Sequence, residues 1–494
     1  MNSDWRHVPR GVLVANRGEI ACRVLRTLRW MGIPSVAVYS EVDAEAPHVW
    51  LADSAVNIGE PRAYMDIACI IDAAQRSGAT AIHPGYGFLA ENAHFARACK
   101  DAGLVFMGPS PEAVEAFGDK RQARVIAEEA GICVVPGAQA CDSIEEAGVQ
   151  AQRVGFPVLL KAAAGGGGKG MRRVNEMATL VEAYGAAQRE AKAAFGDGRL
   201  LVEKYIFPAR HIEVQILGDG ERAVAVGERD CSLQRRYQKV VEEAPAVAIR
   251  QGTRDALYAD AIKLMQAVGY SGAGTVEFIV DTAGQHYFLE VNTRLQVEHP
   301  VTEMLIGWDL VAWQVTLAHG GALCEPPTPR GHAIEVRLNA EDAYGGFLPA
   351  TGEVAMLHWP QAPYLRIDAG ISAGQVISPH YDSLLAKIIC WGEDRQQARQ
   401  RLIAALRETV VLGLTTNQSF LIDVLQRDFF VRGEGYTTTL EQELWQAPEI
   451  PDYVHVAAQQ AGAQTGSRVG DAGTDRFSPW GRLGAFRLAR GPCT

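Results

Sequence analysis

Three consecutive stretches near the start of the chain constrain what the first region can fold into. GVLVAN (11–16) is a short apolar run, EIACRVLRTLRWMG (19–32) has apolar residues at helical spacing, and PSVAVYS (34–40) is apolar again. A strand, a helix and a strand in that order read as a parallel βαβ unit. The pattern repeats in DIACIIDAAQRSG (66–78), TAIHPG (80–85), AHFARACKDAG (93–103) and LVFMGP (104–109). An open parallel sheet covered by helices is expected up to about residue 115.

From about residue 140 the pattern changes. PVLLKA (157–162) and MRRV (171–174) read as short strands around a glycine run, with a helix from about 176 to 194. RLLVEKYI, RHIEVQILGD and RAVAVGERDCS read as consecutive strands, and GTVEFIVDTAGQHYFLEVN (274–292) as a hairpin turning at Gly284. This middle region is expected to be α+β with antiparallel sheet. Beyond about 331, two extended stretches precede a helix with Ala398, Leu402, Ala405 and Leu406 on one face. From about 451 the chain is rich in Ala, Gly and Gln and reads as a linker.

Composition excludes several classes. With 494 residues the chain holds two to four domains. A net charge of -11 argues against a general nucleic-acid or membrane-surface binder. No apolar run is long enough to span a bilayer, and the start lacks a signal or transit pattern. Nine cysteines without a CxxC pair fit a reduced, cytoplasmic setting rather than a disulfide scaffold or metal cluster.

The glycine run KAAAGGGGKGM (161–171) lets backbone N–H groups approach an anion, with Lys161 and Lys169 supplying charge. It fails the GxxxxGK[ST] pattern, since Ala163 holds the first glycine position and Gly170 follows the lysine. Gly165, Gly167 and Gly170 fit GxGxxG formally, but that motif opens into a helix and this one opens into a strand. A flap between two strands, folded over a nucleotide, is the reading preferred to a plain surface turn.

The hairpin carries a second signal. Glu290 and Asn292 share a face by period-2 geometry, and pairing across the turn can bring Glu277 beside them. Two carboxylates and an amide oxygen suit Mg²⁺. The alternative is a solvated polar face, but the flanking TVEFIV and YFLEVN are apolar, where an unpaired carboxylate is costly. Arg294, Gln296 and Glu298 continue at every second residue. Beside a phosphate loop and a metal hairpin, that cluster suits holding an anion and removing a proton from it.

On these and further blocks the chain resembles the biotin carboxylase family of ATP-grasp enzymes. The blocks include VANRGEIACRVLR, AIHPGYGFLAEN, FMGPSPEAVEAFGDK, EKYI, ERDCSLQRRYQKVVEEAP, FLEVNTRLQVEHPVTE, GHAIEVRLNAED and YDSLLAKI, and span roughly residues 10 to 445 in the family's order. The resemblance implies an α/β and α+β ATP-grasp fold. It divides the chain into an N-terminal parallel α/β domain (1–118), an ATP-grasp domain (119–330) with a mobile lid at about 140–205, a C-terminal domain (331–446) and a tail (447–494).

The resemblance also assigns residues. Lys120, Lys161, Gly165, Gly166, Gly167, Gly168 and Lys169 fall on the ATP phosphates. Glu203, Lys204 and Ile206 fall on adenine, with His211, Gln234 and Tyr237 beside the nucleotide. Glu277, Glu290 and Asn292 match the Mg²⁺ (or Mn²⁺) positions; Lys239, Arg294, Gln296, Val297 and Glu298 match the bicarbonate pocket; Tyr86 and Arg337 match the biotin side. Glu298 is then the general base, with Arg294, Lys239 and Arg337 the other catalytic positions. Tyr237 stands where His is the more common residue. Cys231 is read as a buried small residue, His83 as structural, and His299 as a neighbour of the base outside the catalytic set.

The implied reaction is ATP-dependent carboxylation of biotin by bicarbonate through carboxyphosphate. The biotin sits on a carrier protein or domain, and a carboxyltransferase subunit completes the system. No AMKM-type carrier motif occurs in the chain, and SPWGRLGAFRL resembles the stretch following this module in acyl-CoA carboxylases. An acyl-CoA carboxylase component is therefore expected, as a homodimer or larger assembly. Pyruvate carboxylase, urea carboxylase and another bicarbonate-activating ATP-grasp ligase are the alternatives.

Overall fold

The computed structural model describes residues 9–163 and 171–449. The glycines Gly165–Gly168, Lys169 and the linker from 451 lie outside the described residues. The N-terminal βαβ pattern forms a five-stranded parallel sheet in the order Ser54–Gly59, Ser35–Ser40, Val12–Val14, Ala81–His83, Val105–Phe106. Val12, Leu13 and Val14 are completely buried, because helices cover both faces of the central strand. The helix Ile67–Ser77 starts where the Asp66 carboxylate accepts from the Cys69 N–H and stops at Gly78 in the left-handed region.

The middle region splits into two sheets. Leu200–Lys204 does not continue into the strands after it. It joins Gly137–Cys141, Val158–Ala162 and Arg172–Val174 in a four-stranded antiparallel sheet backed by the helices Ile144–Val154 and Met177–Phe195. The strands read as consecutive in sequence therefore belong to two sheets, and residues 205–208 carry the chain from one to the other.

The larger sheet has eight strands in the order His286–Asn292, Ser271–Asp281, Ala209–Asp219, Ala223–Arg235, Gln238–Ala244, His332–Asn339, Leu384–Gly392, Leu365–Ala369. It runs unbroken from the middle region into the C-terminal one, because Gln238–Ala244 pairs antiparallel with His332–Asn339. One face of its C-terminal half packs Ile334, Val336, Leu338 and Ile388 against Ala398, Leu402, Ala405 and Leu406 of the helix Arg395–Glu408. The site lies on the other face, where charged residues alternate with these apolar ones.

Candidate active site

A cavity of about 890 Å³ opens between the N-terminal sheet, the small sheet and the eight-stranded sheet. Its wall contains every described site residue expected from the sequence except Glu298. Glu277 and Glu290 are direct cross-strand partners in the hairpin, and Asn292 donates from Nδ2 to Glu277 Oε1 at 2.9 Å. The strand ends at Asn292, so Arg294, Gln296 and Glu298 are not a continued strand ladder. They lie on a loop that enters the helix His299–Ile306, with Glu298 at its N-cap position.

Lys239 is the hub of the anion pocket. Its Nζ donates to Glu213 at 2.5 Å, Glu298 at 2.6 Å and Glu277 at 2.9 Å. Arg337 donates from Nε to Glu242 at 2.6 Å and from Nη2 to the other oxygen of Glu298 at 3.0 Å. Glu298 is fully buried and sits behind the cavity wall under these two cations. Burial pushes its carboxyl up, but Lys239, Arg337 and Arg229 together outweigh it and hold the group well below the usual carboxylate range. Glu298 is therefore ionised at neutral pH and can accept a proton. Burial likewise opposes the charge of Lys239, and its three carboxylates more than restore it.

Arg294 turns away from Glu298. It donates to Glu91 at 2.8 Å and bridges Gln296 Oε1 and Asn292 Oδ1, both at 2.9 Å. Gln296 in turn donates to Glu277 at 2.9 Å. The carbonyl of Val297 accepts from Lys387 at 2.9 Å, which ties the loop to the strand Leu384–Gly392.

At the opposite end of the cavity the contacts are simpler. Lys161 pairs with Glu203 at 2.5 Å, and Lys120 with Glu290 at 3.3 Å. Lys204 donates to the carbonyls of Gly155 and Phe156 and so braces the small sheet. His211 meets Glu277 at 2.7 Å through Nε2 and Gln234 at 2.6 Å through Nδ1. Tyr237 sits in a tight turn with positive φ between Ala223–Arg235 and Gln238–Ala244, 41% exposed, and lines the cavity. Burial raises its phenol to about 12, so it stays neutral.

The donor set suits a hard divalent cation. Glu277 and Glu290 are adjacent carboxylates, Glu277 now paired with Lys239 and in contact with His211, and Glu290 paired with Lys120. Asn292 gives Glu277 its amide nitrogen and Arg294 its oxygen, so its amide would turn over to join a metal. Donor atoms of His211, Glu213 and Glu277 also converge within 4.8 Å.

Tyr86 owes its place to a stapled loop. Asn16 donates to the carbonyls of Pro84 and Tyr86 at 2.8 and 2.7 Å. Between them Gly85 has φ +64°, and a Cβ there would lie 2.9 Å from the Asn16 amide. His83 is a buried structural residue against Gln314, held neutral by burial, which lowers it to about 4. His299 binds the Gln296 carbonyl at 2.7 Å and so braces the turn before Glu298. Burial pushes the Cys231 thiol well above its ordinary range, which leaves it inert.

Five partners escaped the sequence reading: Glu91, Glu213, Arg229, Glu242 and Lys387. Arg229 is completely buried and bonds Glu213, Gln215 at 2.8 Å and Thr302 at 3.0 Å. A signal was present, since His211, Glu213 and Gln215 alternate with Ile212, Val214 and Ile216 in one strand. Polar residues at period 2 inside an otherwise buried strand mark a polar face that must be satisfied.

Fold and cavity together define an ATP-grasp enzyme. The N-terminal domain model of biotin carboxylase matches residues 9–114, the ATP-binding domain of the carbamoyl-phosphate synthase L chain matches 119–325, and the C-terminal domain of biotin carboxylase matches 335–442. The chain is 46% identical to a Nostoc biotin carboxylase, over 87% of this chain and 98% of that one. It is 50% identical to the mitochondrial methylcrotonoyl-CoA carboxylase subunit alpha of Glycine max, over 88% of this chain but 61% of the relative. Among solved structures, the biotin carboxylase domain dimer of Hydrogenobacter thermophilus 2-oxoglutarate carboxylase, in complex with MgADP, ADP and bicarbonate, matches at a TM-score of 0.86. It is 42% identical, covering 89% of this chain and 100% of that one. The chain belongs to the biotin carboxylase family, whose members are ATP-dependent carboxylating ligases.

No helix among the described residues is long and apolar enough to cross a membrane. The chain spans about three fifths of the length of the methylcrotonoyl-CoA carboxylase subunit it matches.

Proposed function

We propose that the chain carboxylates biotin on a carrier protein, with bicarbonate and MgATP as co-substrates. The observation that carries this is the Lys239–Glu298–Arg337 arrangement, an ionised carboxylate held just behind two cations that line the cavity. Lys120, Lys161, Glu203, Lys204, Ile206, His211, Gln234 and Tyr237 form the nucleotide end. Glu277, Glu290 and Asn292 would hold Mg²⁺ (or Mn²⁺), which neutralises phosphate charge when bound.

Bicarbonate enters between Lys239, Arg294 and Arg337. Its charge draws on Lys239 and Arg337, the two cations that hold Glu298, which raises the proton affinity of that carboxylate when a base is needed. Glu298 takes the proton as a bicarbonate oxygen bonds to the γ-phosphorus and the bond to the bridging oxygen of ADP breaks. Carboxyphosphate then yields CO₂ and phosphate. The phosphate removes the N1 proton of biotin, Arg337 steadies the resulting oxyanion, and N1 bonds to CO₂. Tyr86, with its hydroxyl buried and without a partner, closes the biotin side.

The carrier lies outside these residues, and a carboxyltransferase passes the carboxyl group onward. An acyl-CoA acceptor, of acetyl-, propionyl- or methylcrotonyl type, is the preferred reading, supported by the 50% identity to a methylcrotonoyl-CoA carboxylase subunit. The test is bicarbonate-dependent ATP cleavage with and without free biotin. Stimulation by biotin is expected; its absence in protein that binds MgATP overturns the reading.

A further inference from the structure

Glu335 is the least explained charged residue next to the site. It lies mid-strand in His332–Asn339, is 0% exposed, and neither carboxyl oxygen has a hydrogen-bond partner. Its direct cross-strand partner is Glu242, also 0% exposed. Directly paired residues on adjacent strands point to the same face, so the two carboxyl groups are neighbours. One oxygen of Glu242 is held by Arg337, and the other has no partner. Three buried carboxyl oxygens therefore face a region that supplies no donor.

Two buried carboxylates side by side cannot both be ionised without partners. Arg337 keeps Glu242 the more acidic of the two, which leaves Glu335 as the acid. The surrounding charges agree. Glu335 shares its strand with Arg337, Gln238–Ala244 brings Glu242 and Lys239, and Leu384–Gly392 brings Lys387. The helix His299–Ile306 packs on the strand and brings His299 and Glu303, with Glu298 just before it. Lys387 is already engaged by the Val297 carbonyl and by Glu19 at 3.2 Å. Burial, followed by the Glu242 charge, pushes Glu335 well up. Burial also raises Glu242, which Arg337 restrains to about 7.

We propose that Glu335 is a positioning residue: a buried carboxylic acid that donates its proton to the free oxygen of Glu242, so that Glu242 stays anionic and aims Arg337 at the cavity. The proposal rests on the role given to Arg337 above. Without the donor, the Glu242 anion is less stable and takes up a proton at higher pH. Arg337 then loses its counter-charge on the Nε side and swings toward Glu298.

Two variants and one spectrum test this. Glu335→Leu removes the donor. Its biotin-dependent turnover should fall about tenfold at neutral pH, the acid limb of that rate should move up by about one pH unit, and KM for ATP should change less than about twofold. Glu335→Gln keeps a donor and should restore both rate and limb. Infrared difference spectra of wild type against Glu335→Gln, in H₂O and D₂O, should show the loss of one protonated-carboxyl C=O band. An unshifted acid limb in the Leu variant, an equal shift in the Gln variant, or no lost band each overturns the proposal. The spectrum needs no turnover. Absence of biotin stimulation in wild type would therefore sink the assigned function while the proton on Glu335 was still decided separately.

Discussion

The two ends of the cavity are built differently. At the end assigned to nucleotide, Lys120 and Lys161 each pair with one carboxylate, and the Lys120–Glu290 pair reaches solvent, its side chains 23% and 32% exposed. At the end assigned to bicarbonate and biotin, Glu213, Arg229 and Glu298 have no exposure, and Lys239 and Arg337 between them touch four carboxylates. A polyphosphate brings its own charge and can displace loose pairs. Bicarbonate is small, so the pocket that holds it has to be organised before it arrives. One end is therefore completed by its ligand and the other by its neighbours.

That contrast can be broken by substitution. Glu298→Gln strikes the organised end and should lower bicarbonate-dependent ATP cleavage by about 10²–10⁴-fold, measured as phosphate release; full turnover would remove the base from the scheme. The same residue predicts a pH effect. Its folded value lies below the ordinary 4.5, so it contributes stability that is full above that pH and is lost as pH falls through the folded value. The Gln variant should lack that part of the acid-side loss, seen by urea unfolding as the pH is stepped down from 4.5.

Arg229→Met leaves Glu213 buried with only Lys239 beside it and should cost about 3–5 kcal/mol of stability, read from denaturant midpoints. An unchanged midpoint would show that the organised end carries no more weight than the loose one. Lys120→Ala removes the loose pair with Glu290 and should raise KM for ATP about tenfold with little change in stability. A stability loss as large as that of Arg229→Met would erase the contrast. Tyr237→His is the gentlest probe, with an expected change in ATP affinity of about threefold; isothermal titration with no shift would make the phenol neutral.

Much of the site was legible because its residues fall in short runs with a fixed period. Glu277, Glu290 and Asn292 came from strand alternation alone, and the hairpin pairs them as expected. Arg294, Gln296 and Glu298 were found by the same spacing although no strand extends that far. A loop entering a helix sends Arg294 to Glu91, which lies some two hundred positions earlier in the chain. Glu213 showed only as part of a polar period-2 face, and Arg229 and Glu242 went unnoticed because their meaning comes from which strands adjoin.

The parallel N-terminal sheet, the acidic hairpin and the family blocks follow from local pattern, because period and turn chemistry act over a few residues. Tertiary structure decided the passage from small sheet to large one at Tyr205–Pro208, the pairing of Glu242 with Glu335, and the ionisation of Glu298. Burial and charge set a proton affinity only through neighbours in space. Here those neighbours come from strands far apart in the chain, joined edge to edge in one sheet.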